Sequence, residues 1–254
     1  MNQPRVLFYD IETSLMPVAV FQLAHNDWID PSAILEERYI ICGSWKWEDE
    51  DVVHSVSTVD SAKRYKKNPH DDTEVVKILH EVLSEADVLV AHNGDNFDKR
   101  YIDTRILKLG LSPLPPIASI DTYKIAKQKF LFASNKLDYL GQFLGLGQKI
   151  KTSPGLWMRV LQGDPDAVKE MVTYNQQDVL LLEKVYGKLK PYAPVPNLEL
   201  FGRDGCPRCG SHKIQARGVH RAITKTYQRW QCQDCRGWFR TLRGEAGATQ
   251  NRVL

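Results

Sequence analysis

Apolar and polar positions change period several times along the first 190 residues, and each change predicts an element. Residues 6–12 (VLFYDIE) are a compact apolar run of strand length. RYIICGSWKW (38–47) and DVVHSVST (51–58) read as two strands of a hairpin. The acidic residues between them, Glu48, Asp49, Glu50 and Asp51, read as a solvated turn rather than a metal site. In 73–85, Val75, Val76, Leu79, Val82 and Leu83 recur at helical spacing. DVLVAHN (87–93) is a buried strand running into a loop, and 96–109 follows as a helix. ASIDTY (118–123) is another short strand. Asp164 before Pro165 is a cap followed by a first-turn proline, opening a helix that runs to about Lys188. Three antiparallel strands followed by helix–strand–helix alternation predict an α/β sandwich around a mixed sheet.

Beyond this body the pattern fails. KPYAPVPNLELFGR holds Pro191, Pro194 and Pro196, which favour an extended linker. We place the body at 1–190, the linker at 191–202, a small cysteine-bearing unit at 203–243 and a frayed tail at 244–254. The composition, 43% hydrophobic and 26% charged, is that of an ordinary globular protein over 254 residues. No apolar run approaches the roughly 20 residues of a membrane helix, and the polar start is unlike a signal peptide, so a cytoplasmic location is expected. Charge is divided unevenly. Residues 1–200 carry 23 Lys+Arg against 28 Asp+Glu, whereas 201–254 carry 11 against 3. A mildly acidic body with a strongly basic end suggests that the end faces a polyanion.

Three polar clusters interrupt the apolar pattern of the body. Asp10 and Glu12 lie two apart in the first strand, so their side chains share a face. Either both reach water at a strand end, or something positive neutralises them. In HNGDNFDKRYI (92–102), Asp98 falls in the first turn of a helix, where the helix dipole favours a carboxylate. There Asn93 and Asn96 fit a turn and cap, and Phe97 reads as a core residue. In YNQQDVLLLEKVY (174–186), Tyr174 and Asp178 stack one turn apart beside an apolar stretch. They are a surface pair, or a docked pair in need of partners.

Taken in order, the clusters resemble the three motifs of the DEDDy 3′–5′ exonucleases, and above all the proofreading exonuclease domain of family B DNA polymerases. FYDIETS (8–14) looks like the first motif, HNGDNFD (92–98) the second and YNQQD (174–178) the third. SIDTYKIAKQKF and SNKLDYLGQFLGLGQKI (134–150) resemble the connecting segments. The likeness covers about 5–188 and leaves no room for a polymerase domain, so a stand-alone nuclease is expected. It implies a ribonuclease H-like fold with a mixed five-stranded sheet flanked by helices. It also implies two Mg²⁺ or Mn²⁺ ions, hard cations suited to carboxylate oxygens, promoting phosphodiester hydrolysis. In that pattern Asp10 bridges both ions, and Glu12 and Asp178 hold the one that activates water. Asp98 acts through an intervening water, and Tyr174 orients the attacking water. Asn93 and Phe97 match positions that touch the substrate strand. The glycines of LGLGQK (144–149) lack a phosphate-loop spacing, and no ATP requirement is expected.

CPRCG (206–210) and CQDCR (232–236) present two C-x2-C pairs separated by 22 residues, a spacing that suits a closed tetrahedral Zn²⁺ site. Cys206, Cys209, Cys232 and Cys235 are the expected ligands of a structural zinc ribbon; His212 and His220 are spare. Between 203 and 243, ten Arg+Lys accompany two Asp+Glu and the aromatics Tyr227, Trp230, Trp238 and Phe239. Half of those aromatics are expected in the ribbon's core, and the basic face is expected to bind nucleic acid, with protein docking as the other reading. Cys42, in an apolar strand, reads as an inert core residue. The expected activity is 3′–5′ hydrolysis at single-stranded ends, DNA before RNA, with a polymerase or another replication or repair protein as possible partner. The alternatives are a structure-selective or RNA-directed nuclease using the same carboxylates, and a non-catalytic nucleic-acid-binding adaptor. The intact set of carboxylates argues against the adaptor.

Overall fold

The computed structural model of the chain describes residues 4–20, 29–193, 205–222 and 225–242. In chain order its elements are β1 (Val6–Thr13), β2 (Ile40–Trp47), β3 (His54–Ser57), α1 (Ala62–Lys67), α2 (Thr73–Ser84), β4 (Val88–Ala91) and α3 (Asp98–Leu109). There follow β5 (Ala118–Asp121), α4 (Thr122–Lys129), α5 (Leu137–Phe143), α6 (Pro154–Leu161), α7 (Pro165–Leu189), β6 (Ile214–Arg221), β7 (Thr226–Cys232) and β8 (Trp238–Leu242). The first five strands form one mixed sheet in the order β3-β2-β1-β4-β5. β2 is antiparallel to β1 and β3, whereas β4 runs parallel to β1 and β5 parallel to β4. The expected mixed five-stranded sheet flanked by helices is therefore present.

Alternation along β1 sorts the core into two layers. Leu7, Tyr9 and Ile11 pack with Val76 and Leu79 of α2 and Ile102 of α3. Val6 and Phe8 point the other way, onto Leu140 of α5 and Val179, Leu182 and Val185 of α7. A third cluster closes α6 and the start of α7 over Ile41 and Cys42, and Cys42 is fully buried among apolar neighbours. The long helix α7 begins as its sequence dictates. Asp164 accepts hydrogen bonds from the amides of Asp166 (2.9 Å) and Ala167 (3.3 Å), and Pro165 occupies the first turn. Each fully buried Val or Leu on its inner face contributes about 1.5–3 kcal/mol. Several such side chains hold down a face that also carries Asp178.

Several boundaries differ from the sequence reading. The second hairpin strand pairs only over His54–Ser57, because the acidic run forms the turn: Lys190 binds Glu48 at 2.6 Å and His54 meets Glu50 at 3.0 Å. The strand expected over 118–123 stops at Asp121, whose carboxylate caps α4 by accepting from the amide of Tyr123 at 2.9 Å. Helices α1, α4, α5 and α6 are short, with six to eight residues each. Phe97 is not a core residue. It is 37% exposed and stacks on Tyr101, because the residue before α3 points outward from the turn.

The second sheet is antiparallel, in the order β6-β7-β8. Of its four aromatics, Tyr227 and Phe239 are buried and Trp238 is half exposed. The linker expected at 191–202 lies outside the described residues beyond Ala193, as does the tail expected at 244–254. Among the described residues, no helix is long and apolar enough to cross a membrane.

Candidate active site

The carboxylates converge where three elements meet. β1 carries Asp10 and Glu12 past the last apolar residue facing α7, and a register shift after Glu12 ends the regular pairing with β2. From α7, Asp178 points back at them and is 1% exposed. Oxygens of Asp10, Glu12 and Asp178 all lie within 4.8 Å of one another. Asp98 stands outside this triad. Its carboxylate, 4% exposed, accepts the amide proton of Ile11 at 3.1 Å, which fixes the start of α3 against β1. Helical spacing brings Tyr174 beside Asp178, half-buried rather than on an open surface.

Crowding and burial set the electrostatics. Burial, then the charge of Asp98, then that of Glu12 push the Asp10 carboxyl well above its ordinary range. Burial and the neighbouring Asp178 raise Glu12 to about 8, and burial raises Asp98 to about 6. Burial also raises Asp178, and it raises the Tyr174 phenol to about 12. Four carboxylates that resist ionisation so close together form a site short of positive charge.

Two residues that sequence reading missed meet part of that demand. Lys149 donates to Asp178 at 2.6 Å and to the Tyr174 hydroxyl at 3.2 Å. Burial opposes its charge, yet Asp178 and Asp10 hold it firmly protonated. Asn175, fully buried, donates its Nδ2 to Asp10 at 2.6 Å. Asn175 was legible in principle, since a polar residue three before Asp178 shares its helix face. Lys149 was not, because it follows the glycine-rich loop and is brought in only by packing. Gly141 permits this: a Cβ there would lie 2.8 Å from the carbonyl of Gly147, so α5 and the loop close tightly. Asp138 then accepts the Lys149 amide at 2.8 Å.

The second motif is a tight turn. Asn93 adopts a φ of 64°, a left-handed conformation that Asn tolerates, and its amide donates to Asp121 at 2.8 Å. A Cβ on Gly94 would fall 2.4 Å from that of Ala91, which explains glycine there. Asn93 and Phe97 thus rim the turn beside Asp98 and do not contact the triad among the described hydrogen bonds.

In the C-terminal unit, Cys206, Cys209, Cys232 and Cys235 bring their sulfurs within 4.8 Å of one another. The pairs Cys206–Cys235 and Cys209–Cys232 stand 3.6 and 3.7 Å apart. That is far beyond a disulfide bond and close to the roughly 3.8 Å edge of a tetrahedron with 2.3 Å Zn–S bonds. His212 and His220 are not part of the cluster.

Comparison with known proteins decides the family. The model of the RNase H superfamily matches residues 43–190, more than half of the chain. The chain belongs to the RNase H superfamily. A 70-residue segment of this superfamily member is 40% identical to "DNA polymerase III PolC-type" of Ureaplasma parvum serovar 3 (strain ATCC 700970). The match takes in 28% of the chain but 5% of that polymerase. The fold is also similar to the family B DNA polymerase from the hyperthermophilic archaeon Pyrobaculum calidifontis, with a TM-score of 0.52 and 16% identity over 89% of this chain and 32% of the polymerase. The RNase H superfamily chain therefore spans a small part of either polymerase. Its fold is ribonuclease H-like, with β1 and its two carboxylates lying before the matched region.

Proposed function

We propose that this chain is a DEDDy-type 3′–5′ exonuclease hydrolysing single-stranded nucleic-acid ends, DNA before RNA, in a body of residues 1–190 joined through 191–202 to a zinc ribbon at 203–243. The observation that carries the reading is the meeting of Asp10, Glu12 and Asp178 within 4.8 Å, with Asp98 beside them. The 3′–5′ polarity rests on the resemblance of the three motifs, and the similarity to two polymerases supports a nucleic-acid substrate.

The donor set fits hard divalent cations. It is all-carboxylate, its members are pushed toward protonation by one another, and one buried oxygen of Asp178 has no hydrogen-bond partner. Asp10, Glu12, Asp98 and Asp178 would hold two Mg²⁺ or Mn²⁺ ions, which supply an activated water and neutralise charge on the phosphoryl oxygens and the leaving 3′ oxygen. Asn175 fixes the Asp10 carboxylate through one oxygen, leaving the other free. Lys149 donates to the Tyr174 hydroxyl, and that hydroxyl, one helical turn from Asp178, would orient the water that attacks phosphorus. That water's oxygen forms the new P–O bond as the bond to the 3′ oxygen breaks, releasing a nucleoside 5′-monophosphate. By the resemblance of their motif, Asn93 and Phe97 would contact the substrate strand. Zn²⁺ held by the four cysteines is structural, since four thiolates leave no open position.

Digestion of 3′- and 5′-labelled DNA and RNA with Mg²⁺, Mn²⁺ or chelator tests the reading. A ladder of 5′-labelled products shortening from the 3′ end, lost with chelator, is expected; endonucleolytic products or metal-independent cutting would refute it. Tyr174→Phe is expected to keep Mn²⁺ binding while single-turnover cleavage slows by roughly ten- to a thousandfold. An unchanged single-turnover rate would leave Tyr174 a packing residue.

A further inference from the structure

The chain between α4 and the loop that delivers Lys149 carries an apolar surface that the core does not use. Leu131 is fully exposed, Phe143 is 62% exposed and Tyr192 is 52% exposed. Phe143 and Tyr192 belong to one aromatic row. Phe143 packs edge-on to Phe132 at 5.3 Å, Phe132 lies 5.1 Å from Phe130, and Phe130 meets Tyr192 at 4.9 Å. Phe130 and Phe132 are half-buried against the core and hold the exposed Phe143 and Tyr192 at the two ends of the row, an apolar surface of the kind that marks an interaction site.

Charge says what kind. Residues 122–153 contain six lysines and one acid, Asp138, inside a body whose overall balance is acidic. Asp138 is itself engaged, accepting from the Lys149 amide and from Gln142. Lys127, Lys129, Lys136 and Lys151 are exposed and form no ion pair among the described residues. Protein interfaces are depleted in lysine, whereas surfaces for single strands combine cations for phosphates with flat side chains for bases. The row also leads somewhere at both ends. At one end, Asp138 of α5 holds the backbone of Lys149, whose ammonium reaches Asp178 at 2.6 Å. At the other, Tyr192 precedes Ala193, whose carbonyl accepts from Arg208 of the cysteine unit at 3.2 Å.

We propose that this row is a track for single-stranded nucleic acid, with bases stacking on Phe143 and Tyr192 and phosphates paired to Lys127, Lys129, Lys136 and Lys151. The track joins the carboxylate centre to the basic ribbon, so one strand is held by both. This rests on the reading of the centre as a phosphodiesterase, but its test is separate. Binding of the full-length protein to an oligo(dT) of about twelve nucleotides, in Ca²⁺ across a salt series, is read by fluorescence anisotropy. Phe143→Ala together with Tyr192→Ala is expected to weaken binding roughly ten- to a hundredfold with little change in salt slope. The exposed set Lys127→Gln, Lys129→Gln and Lys136→Gln, which leaves every buried contact intact, is expected to lower the slope of log affinity against log salt by about 2. Wild-type affinity and slope in both variants would overturn the track and leave a protein-docking face. Hydrolysis of bis(p-nitrophenyl) phosphate by the wild-type protein with Mn²⁺ reports the centre alone. No turnover there overturns the proposed centre, while the oligonucleotide result still decides the track.

Discussion

Asp10→Ala is expected to lower phosphodiester hydrolysis by about a thousandfold or more while the fold persists. Asp10 is the residue on which the cluster converges: Glu12, Asp98 and Asp178 all raise its carboxyl, and Asn175 clasps it. Asp10→Asn keeps the side-chain shape and should lose activity equally, which separates charge from packing. The same crowding predicts how stability depends on pH. Burial and mutual repulsion place the folded-state values of Asp10, Glu12, Asp98 and Asp178 above those of the unfolded chain. The folded protein therefore binds more protons, and this contribution is complete below the ordinary carboxylate range. It is lost as pH rises through the folded-state values, such as about 6 for Asp98 and about 8 for Glu12. In chelator, the melting temperature should fall between about pH 5 and 8. Mn²⁺ should restore it in the wild type and much less in Asp10→Ala. A flat profile in chelator, or wild-type cleavage by Asp10→Ala, would sink the assignment.

Replacing Cys232 and Cys235 with Ser is expected to release one zinc per chain and unfold the ribbon without unfolding the body. Among the described residues, the ribbon's buried side chains are few, chiefly Cys206, Cys232, Phe239 and Tyr227. Zinc affinity of about 10–16 kcal/mol in such units exceeds what so few apolar contacts supply. Arg208 shows how that loss spreads. Its guanidinium donates to the carbonyl of Trp238 at 2.6 Å and to Ala193 at 3.2 Å, so the first cysteine knuckle ties β8 to the end of the body. On the reading of the ribbon as a nucleic-acid clamp, losing three to five phosphate contacts should flatten the salt slope for single strands by about 2–3.5. A truncation near Pro196 should match the serine variant and still cleave at saturating substrate. The readouts are zinc content, limited proteolysis and oligonucleotide binding in Ca²⁺. Full affinity and full salt slope in both proteins would make the ribbon a protein-docking unit.

Much of this architecture was written in local spacing. Period two along β1 put Asp10 and Glu12 on one face, and the structure turns that face toward α7. Period 3.6 placed Tyr174 over Asp178, and the Asp164–Pro165 pair started α7 where it begins. The two C-x2-C pairs anticipated a four-sulfur cluster, because each pair needs only a short turn to aim two thiols together. Each of these rests on atoms a few residues apart, where backbone geometry alone decides direction.

Phe97, Asn175 and Lys149 show what such spacing leaves open. Phe97 reads as core by its hydrophobicity, yet the turn before α3 aims it outward onto Tyr101. The Asn175–Asp10 and Lys149–Asp178 contacts span 165 and 29 residues, and no period connects positions so far apart. They exist because α7 lies across β1 and because α5 draws the glycine-rich loop against it. Docking α7 buries its apolar side chains and, in the same movement, brings Asp178 up to Asp10 and Glu12. The resulting excess of negative charge, away from water, is what makes an amide and an ammonium favourable there. Short-range periodicity says which side chains share a face. Whether a face carrying carboxylates is solvated or crowded depends on what packs over it.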